Sequence, residues 1–328
     1  MNFDSKALTE WITGAGGHVG PVEIRSSGSG RGVFSTAPVA DGQLILRVPR
    51  VCCVTPETET PVGRAIEAAG NHPLIQDAVF AARLLDLRRS DDARFRPLLA
   101  GLPDALPDFP LFYATQRARA LVGSSLPAQR SSRVDRLTIE SDWLRGNVAE
   151  LAGLDGAEWA LVRALVGSRT FHLSDEAGPA MVPYADLLNA AIEPDVAWEF
   201  DAALDALVVK AVRPIAEGAE VLTSYGPKSN LRFLMHFGFT FQDNPHDECL
   251  VTAGGETLHL GRIADASYLD PRTLQAMLRD PRAAKQACEA RLQGLDRVPL
   301  DPNDPSLLDV RRLRAGKRAI LESWLGNL

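Results

Sequence analysis

Apolar and polar positions follow two different periodicities along this chain. Leu8, Trp11 and Ile12 share one face of a short amphipathic helix over residues 5–15. Over residues 21–49 the pattern changes to strand-like runs at 22–24, 33–34 and 44–48. Glycine-rich or Pro/Asp/Gly turns separate them, which predicts a small antiparallel β unit. Residues 64–170 read as mostly helical, with a long run through Leu84, Leu85 and Leu87 and an apolar-rich helix over 158–166. A proline-punctuated stretch from Pro97 to Tyr113 lies between them. Strand signals return at 196–200, 207–212 and 220–223, with 201–205 as a hairpin connection. Residues 230–236 resemble one or two helical turns. After residue 250 the pattern becomes helical again, over 271–278, 281–292 and 306–324, and Asp304-Pro305 is a start signal for the last.

The order is therefore β, helical insertion, β, helical tail, which predicts an α+β fold. A parallel-sheet enzyme alternates strand and helix more regularly, so a Rossmann-like architecture is disfavoured. The 328 residues carry 45% hydrophobic and 23% charged side chains, the balance of a globular chain with a sizeable core. The net charge is −7, with no Lys/Arg-rich run, so the clustered basic groups that neutralise phosphates are missing and no nucleic-acid partner is expected. No stretch approaches the ~20 apolar residues that span a bilayer, and the first residues lack a secretory pattern. The expectation is a cytoplasmic protein without a membrane partner. Cys52, Cys53, Cys249 and Cys288 form no C-x-x-C pair and no set with metal-ligand spacing, so no metal site is expected and the thiols read as free.

Gly28-Ser-Gly30-Arg-Gly32 invites comparison with phosphate-binding loops, but an extended Val33-Phe34 follows where a helix is needed. A simple turn, or a close backbone approach to a ligand, both remain open.

Four segments together resemble the SET-domain methyltransferases, in the branch of the Rubisco large-subunit lysine methyltransferase and the actin-histidine methyltransferase. They are Gly30-Arg-Gly32-Val-Phe34 with Ala40-Asp-Gly42 and Val48-Pro49; Phe95-Arg-Pro97 through Val122-Gly-Ser-Ser125; Ser168-Arg-Thr-Phe171 with Val182-Pro-Tyr-Ala-Asp186-Leu-Leu-Asn189; and Glu217-Gly218, Glu220-Val221, Ser224-Tyr225-Gly226 and Phe237-Gly-Phe239. The resemblance covers roughly residues 5–250. It implies a SET domain over 1–250, with β portions near 20–60 and 180–245 and a helical insertion near 61–165. A shortened helical C-terminal lobe is implied over 251–328.

The same resemblance implies an S-adenosylmethionine-dependent protein N-methyltransferase, with a protein or peptide substrate and lysine as the acceptor. Tyr225 takes the family's catalytic tyrosine position. Ser29, Gly30, Arg31, Ser168, Arg169, Asp186, Asn189, Ala190, Tyr225 and Phe239 fall at cofactor-binding positions. Arg169 is matched to the cofactor carboxylate, whose two oxygens suit a guanidinium, and Asn189 to the amino-acid end. Phe171, Tyr184 and Phe237 fall at substrate positions; Phe171 favours an alkyl amine over an imidazole, and Tyr184 is either a replacement hydroxyl or a packing residue. Two departures stand out. Ala190 replaces the family's histidine after Asn189, and Phe237 stands where lysine-specific relatives often place a second active-site tyrosine. A SET fold that has lost turnover and kept a partner groove, or one acting on histidine or a small molecule, stays open beside the lysine reading.

Overall fold

The computed structural model describes residues 3–28, 30–122, 124–262 and 270–327. Two compact units divide the chain: Met1–Ala105 with Leu137–Tyr225, and Leu106–Arg136 with Gly226–Leu328.

The first unit opens with α1 (Ser5–Gly14), started by Asp4, whose carboxylate accepts from the backbone N–H groups of Lys6 and Ala7. Leu8 and Ile12 bury its apolar face. Strands β1 (His18–Val19), β2 (Val22–Ser27), β3 (Gly30–Ser35) and β4 (Leu44–Pro49) follow. Helices α2 (Pro61–Ala69), α3 (Gln76–Arg89) and α4 (Arg96–Gly101) come next, the first capped by Thr60 with proline in its first turn. The short α5 (Thr115–Arg119) belongs to the second unit, and α6 (Leu126–Asn147) begins there and ends in the first. Then α7 (Gly156–Arg169) runs into the hairpin β5 (Thr170–Ser174) and β6 (Gly178–Met181). Strands β7 (Asn189–Ala190), β8 (Val196–Asp201), β9 (Ala206–Ala211) and β10 (Leu222–Thr223) complete the unit.

One antiparallel sheet runs in the order β1-β4-β9-β8, and β2 and β3 pair over six residues from Val22↔Ser35 to Ser27↔Gly30. The core gathers Val33, Ile45, Leu46, Val48, Leu207 and Val209 from these strands with Leu8 and Ile12 of α1. Asp201 tightens the β8–β9 turn by accepting from the N–H groups of Ala203 and Leu204.

In the second unit, α8 (Asn230–Phe237) is ended by Gly238, which takes the left-handed conformation at φ 80°. A hairpin of β11 (Glu248–Ala253) and β12 (Glu256–Gly261) then precedes α9 (Pro271–Arg279), α10 (Pro281–Leu295) and α11 (Leu308–Leu325). This hairpin corrects the expectation of purely helical chain beyond residue 250. Gly254 and Gly255 both hold positive φ, the requirement of a two-residue turn whose twist suits a hairpin. Cys249, Val251, Leu258 and Leu260 then fill one face against Cys288 of α10 and Ile320 and Leu321 of α11. Lys317 is 1% exposed and donates from Nζ to the carbonyl of Glu248 at 2.8 Å. Among the described residues, no helix is long and apolar enough to cross a membrane.

The α1–β1 junction depends on a glycine. A Cβ at Gly17 would lie 2.6 Å from the Arg47 carbonyl oxygen and 2.7 Å from that of Ile12, both backbone atoms that cannot step aside. Gly17→Ala should therefore cost about 1–3 kcal/mol in urea unfolding. Gly14→Ala, with nothing within 4 Å of its new methyl, should be neutral or stabilising by about 0.5–1 kcal/mol. Equal effects of the two substitutions would refute this account of the junction.

Candidate functional site

Two remote segments of the first unit meet in a short parallel ladder. Asn189 and Ala190 of β7 pair with Leu222 and Thr223 of β10. The N–H of Ala191 extends the ladder to the Thr223 carbonyl at 2.9 Å. Asp195 closes the far side: its N–H donates to the Leu222 carbonyl at 2.7 Å, and its carboxylate accepts from the Leu222 N–H at 3.0 Å. Arg213 holds that carboxylate in turn, at 2.7 Å.

This crossing sets three side chains. Asn189 donates from Nδ2 to Glu220 Oε1 at 2.7 Å and to the Arg31 carbonyl at 3.2 Å. Gly32 makes the meeting possible, because a Cβ there would overlap the Glu220 carboxylate. Tyr225 donates its hydroxyl to the Leu188 carbonyl at 2.8 Å, one residue before β7. Burial pushes that phenol up to about 12, while the charge of Arg169 acts in the other direction.

Beside the crossing lies a cluster of charges. The C-terminal turn of α7 delivers Arg169, which grips Asp186 through its carbonyl at 2.9 Å and its carboxylate at 3.0 Å. The Asp186 side chain is 6% exposed, and desolvation raises its pKa against the pull of Arg169 and Arg31. Arg31 of β3 feels both neighbours; desolvation lowers its pKa first, and Arg169 lowers it further. The unit thus brings together Arg31, Arg169, Asp186, Asn189 and Tyr225, five of the residues matched by sequence. Gly30 belongs to the same strand end, at φ 116°, a conformation open to glycine.

Other sequence-matched residues are placed differently. Ser168 spends its hydroxyl inside α7, on the Ala164 carbonyl at 2.8 Å. Ala190 contributes backbone to the crossing. Phe171 meets Trp198 of β8 edge-on at 5.2 Å, half-buried against the core. Tyr184 is 1% exposed, holds φ 69°, and donates its hydroxyl to the Val22 carbonyl at 3.1 Å, the placement of a packing residue. Ser29 lies outside the described residues. Phe237 and Phe239 belong to the second unit, where they pack with Phe233 at 6.0 and 5.4 Å. Glu220 was legible only as part of a motif; the signal for its position was Gly32, whose missing Cβ marks a close approach.

Residues 30–226, more than half of the chain, match the SET domain. The chain belongs to the SET-domain family. Among curated relatives, SET domain-containing protein 4 of Artemia parthenogenetica is 20% identical over 230 residues, 67% of this chain and 57% of that protein. The actin-histidine N-methyltransferase of Danio rerio is 23% identical over 254 residues, covering 70% of this chain and 41% of that one. N-lysine methyltransferase SETD6 of Mus musculus is 26% identical over 236 residues, 64% and 48% respectively. The chain spans about half the length of the curated relatives it matches. Among solved structures, the SET domain of LSMT bound to lysine and AdoHcy superposes with a TM-score of 0.78 at 17% identity. It covers 98% of this chain and 90% of that one, which shows the shared α+β SET fold.

Gly32→Ala should unseat Glu220 from Asn189 and cost about 1 kcal/mol in urea unfolding. In a Glu220→Ala background the same substitution should cost almost nothing, and an undiminished cost there would show that Gly32 matters for another reason. In the second unit His236 is exposed at its surface, yet desolvation of its ring and then the cations Arg133, Arg232 and Lys228 draw its pKa below the ordinary 6.5, toward about 4. The unfolded chain therefore takes up that proton first, and the folded state loses stability as pH falls from 6.5 toward 4. An NMR titration should find the His236 ring neutral at pH 5.5; a midpoint near 6.5 would contradict this reading.

Proposed function

We propose that this chain transfers a methyl group from S-adenosylmethionine to a nitrogen on a protein substrate, with the ε-amine of lysine as the acceptor. The reading rests on one observation above others: the Tyr225 hydroxyl anchored at the β7–β10 crossing, next to the Arg169–Asp186–Arg31 cluster. Family membership and relatives named as N-methyltransferases support it.

The residues suit the methyl donor. Its amino-acid end is a zwitterion, and the site offers both signs: guanidinium groups at Arg31 and Arg169, and carboxylate on the Asn189–Glu220 side of Gly32. Arg169 and Arg31 would hold the carboxylate end. Asn189, whose Nδ2 is spent on Glu220 and Arg31, would turn Oδ1 toward the ammonium. Ala190 is compatible with this, because its contribution to the crossing is backbone.

The bound donor supplies an electrophilic methyl on a sulfonium. The chain's own part is alignment and protonation state. A lysine amine with a reference pKa near ~10.4 attacks only when neutral, and a desolvated, cation-rich site favours that form. Tyr225 keeps its proton at any physiological pH. Fixed by the Leu188 carbonyl, its oxygen orients amine and methyl by weak acceptor contacts and does not act as a base. Phe171 is an apolar wall suited to an alkyl chain, with no hydrogen bond to offer an imidazole. The four buried free cysteines are in keeping with a reducing, cytoplasmic setting.

Tyr225→Phe should lower methyl transfer about a hundredfold while the protein stays folded, the lost bond to the Leu188 carbonyl costing about 1 kcal/mol in urea unfolding. The readout is mass spectrometry of labelled host-extract proteins. Equal rates for variant and parent would sink the catalytic assignment, and fragment spectra placing the methyl on histidine would move the acceptor to the chemistry of the actin-directed relatives.

A further inference from the structure

The residues around Arg31 include one with no part in the proposed chemistry. Phe3, just before α1, lies with its ring 4.4 Å from the Arg31 guanidinium carbon. On another edge, Arg31 donates from Nη2 to the Gly101 carbonyl at 2.8 Å, at the end of α4. The same phenyl ring packs on Gly101, where a Cβ would come within 3.3 Å of it. Ring, carbonyl and guanidinium thus form a three-part contact joining the segment before α1, the end of α4 and the tip of β3.

The electrostatics of that contact are unusual. Arg31 faces a like charge in Arg169, and the Asp186 carboxylate they share is gripped by Arg169. Among the described residues, no carboxylate lies within ion-pairing distance of Arg31 itself. A flexible arginine in that position gains by swinging into water, away from its neighbour. It is held in place by stacking on an aromatic face and by one carbonyl, interactions that restrain a guanidinium without cancelling its charge.

We propose that Phe3 is a positioning residue that holds the Arg31 guanidinium as a second cation for the carboxylate of the bound methyl donor. This deepens, and rests on, the methyl-transfer reading above. Arg169 alone is partly neutralised by Asp186, and Arg31 supplies the uncompensated charge. The segment before α1, outside the stretch matched to the family, is thereby part of cofactor recognition.

The test is calorimetric titration of the full chain with two ligands. S-adenosylhomocysteine carries the α-carboxylate; 5′-methylthioadenosine keeps the nucleoside and thioether and lacks the amino-acid end. Phe3→Leu preserves an apolar contact on Gly101 and removes the π face, so it should weaken S-adenosylhomocysteine roughly three- to tenfold and leave methylthioadenosine unchanged. Phe3→Trp should restore the parent affinity. Phe3→Ala should behave as Phe3→Leu, and the leucine variant carries the test should the alanine variant fold poorly. Equal weakening of both ligands would make Phe3 a general packing residue and overturn the proposal, as would unchanged affinity for S-adenosylhomocysteine. A parent chain that binds neither ligand would overturn the methyl-transfer reading itself, a result distinguishable from the loss of Phe3's role alone.

Discussion

The candidate site depends on the pairing of two two-residue strands. β7 and β10 are separated by the whole β8–β9 hairpin, and their ladder spans only Asn189↔Leu222 and Ala190↔Thr223. So short a parallel pair is weak, each net hydrogen bond contributing about 0.5–1.5 kcal/mol, and it is reinforced from the side. Asp195 acts as a substitute strand, answering the Leu222 carbonyl with its own N–H and the Leu222 N–H with its carboxylate. Because that carboxylate also holds Arg213, the ladder is tied to the turn after β9. The hairpin closes the intervening chain locally, so the long-range contact carries little of the loop entropy that a disordered connection would cost. Registry at the crossing then decides where Glu220 and Tyr225 fall, one just before β10 and one just after.

That registry has electrostatic consequences. The C-terminal turn of α7 brings Arg169 onto Asp186, which is buried enough for desolvation to raise its pKa despite a guanidinium at 3.0 Å. A buried pair of this kind contributes little net stability, because the desolvation of both ions offsets most of their attraction. Its value is positional: Arg169 also binds the Asp186 carbonyl, so charge and backbone are fixed by one side chain. Arg31 adds a like charge to the same neighbourhood, at a cost the fold meets with the Phe3 ring and the Gly101 carbonyl.

Much of the framework was legible because it follows local rules. The α1 face, strands β2 to β4, the β8–β9 hairpin with its Asp201 turn and helices α7 to α11 all announce themselves by periodicity or caps. Two hairpins did not. β11–β12 carried its own signal, Gly254-Gly255 between alternating apolar positions, and was obscured by the helical text that follows. β5–β6 is short and slips register between His172 and Ser174, so no clean alternation survives to be read. In the site, the family resemblance pointed to Tyr225, Asn189, Arg169 and Asp186. It was silent on Phe3, whose place is set by a ring stack reached through tertiary folding. It also left Tyr184 open between two roles that only packing separates.

Tyr184 shows why a hydroxyl count from sequence overstates the chemistry available. Its φ of 69° is costly for an aromatic residue, and the surroundings sustain it: the ring is fully enclosed and the hydroxyl answers the Val22 carbonyl. Moving that hydroxyl toward a substrate would leave a buried carbonyl unsatisfied and a cavity in the core, penalties of a few kcal/mol together. Phe237, the other position matched to a substrate-side tyrosine by resemblance, offers no hydroxyl either. Tyr225 is therefore the one residue of the three whose hydroxyl sits at the crossing, and under the proposed methyl transfer any further orientation of the acceptor nitrogen would fall to backbone carbonyls and apolar walls. On that reading the site would discriminate by shape more than by hydrogen bonding, which suits the proposed alkyl amine better than an imidazole that needs a partner for its second nitrogen.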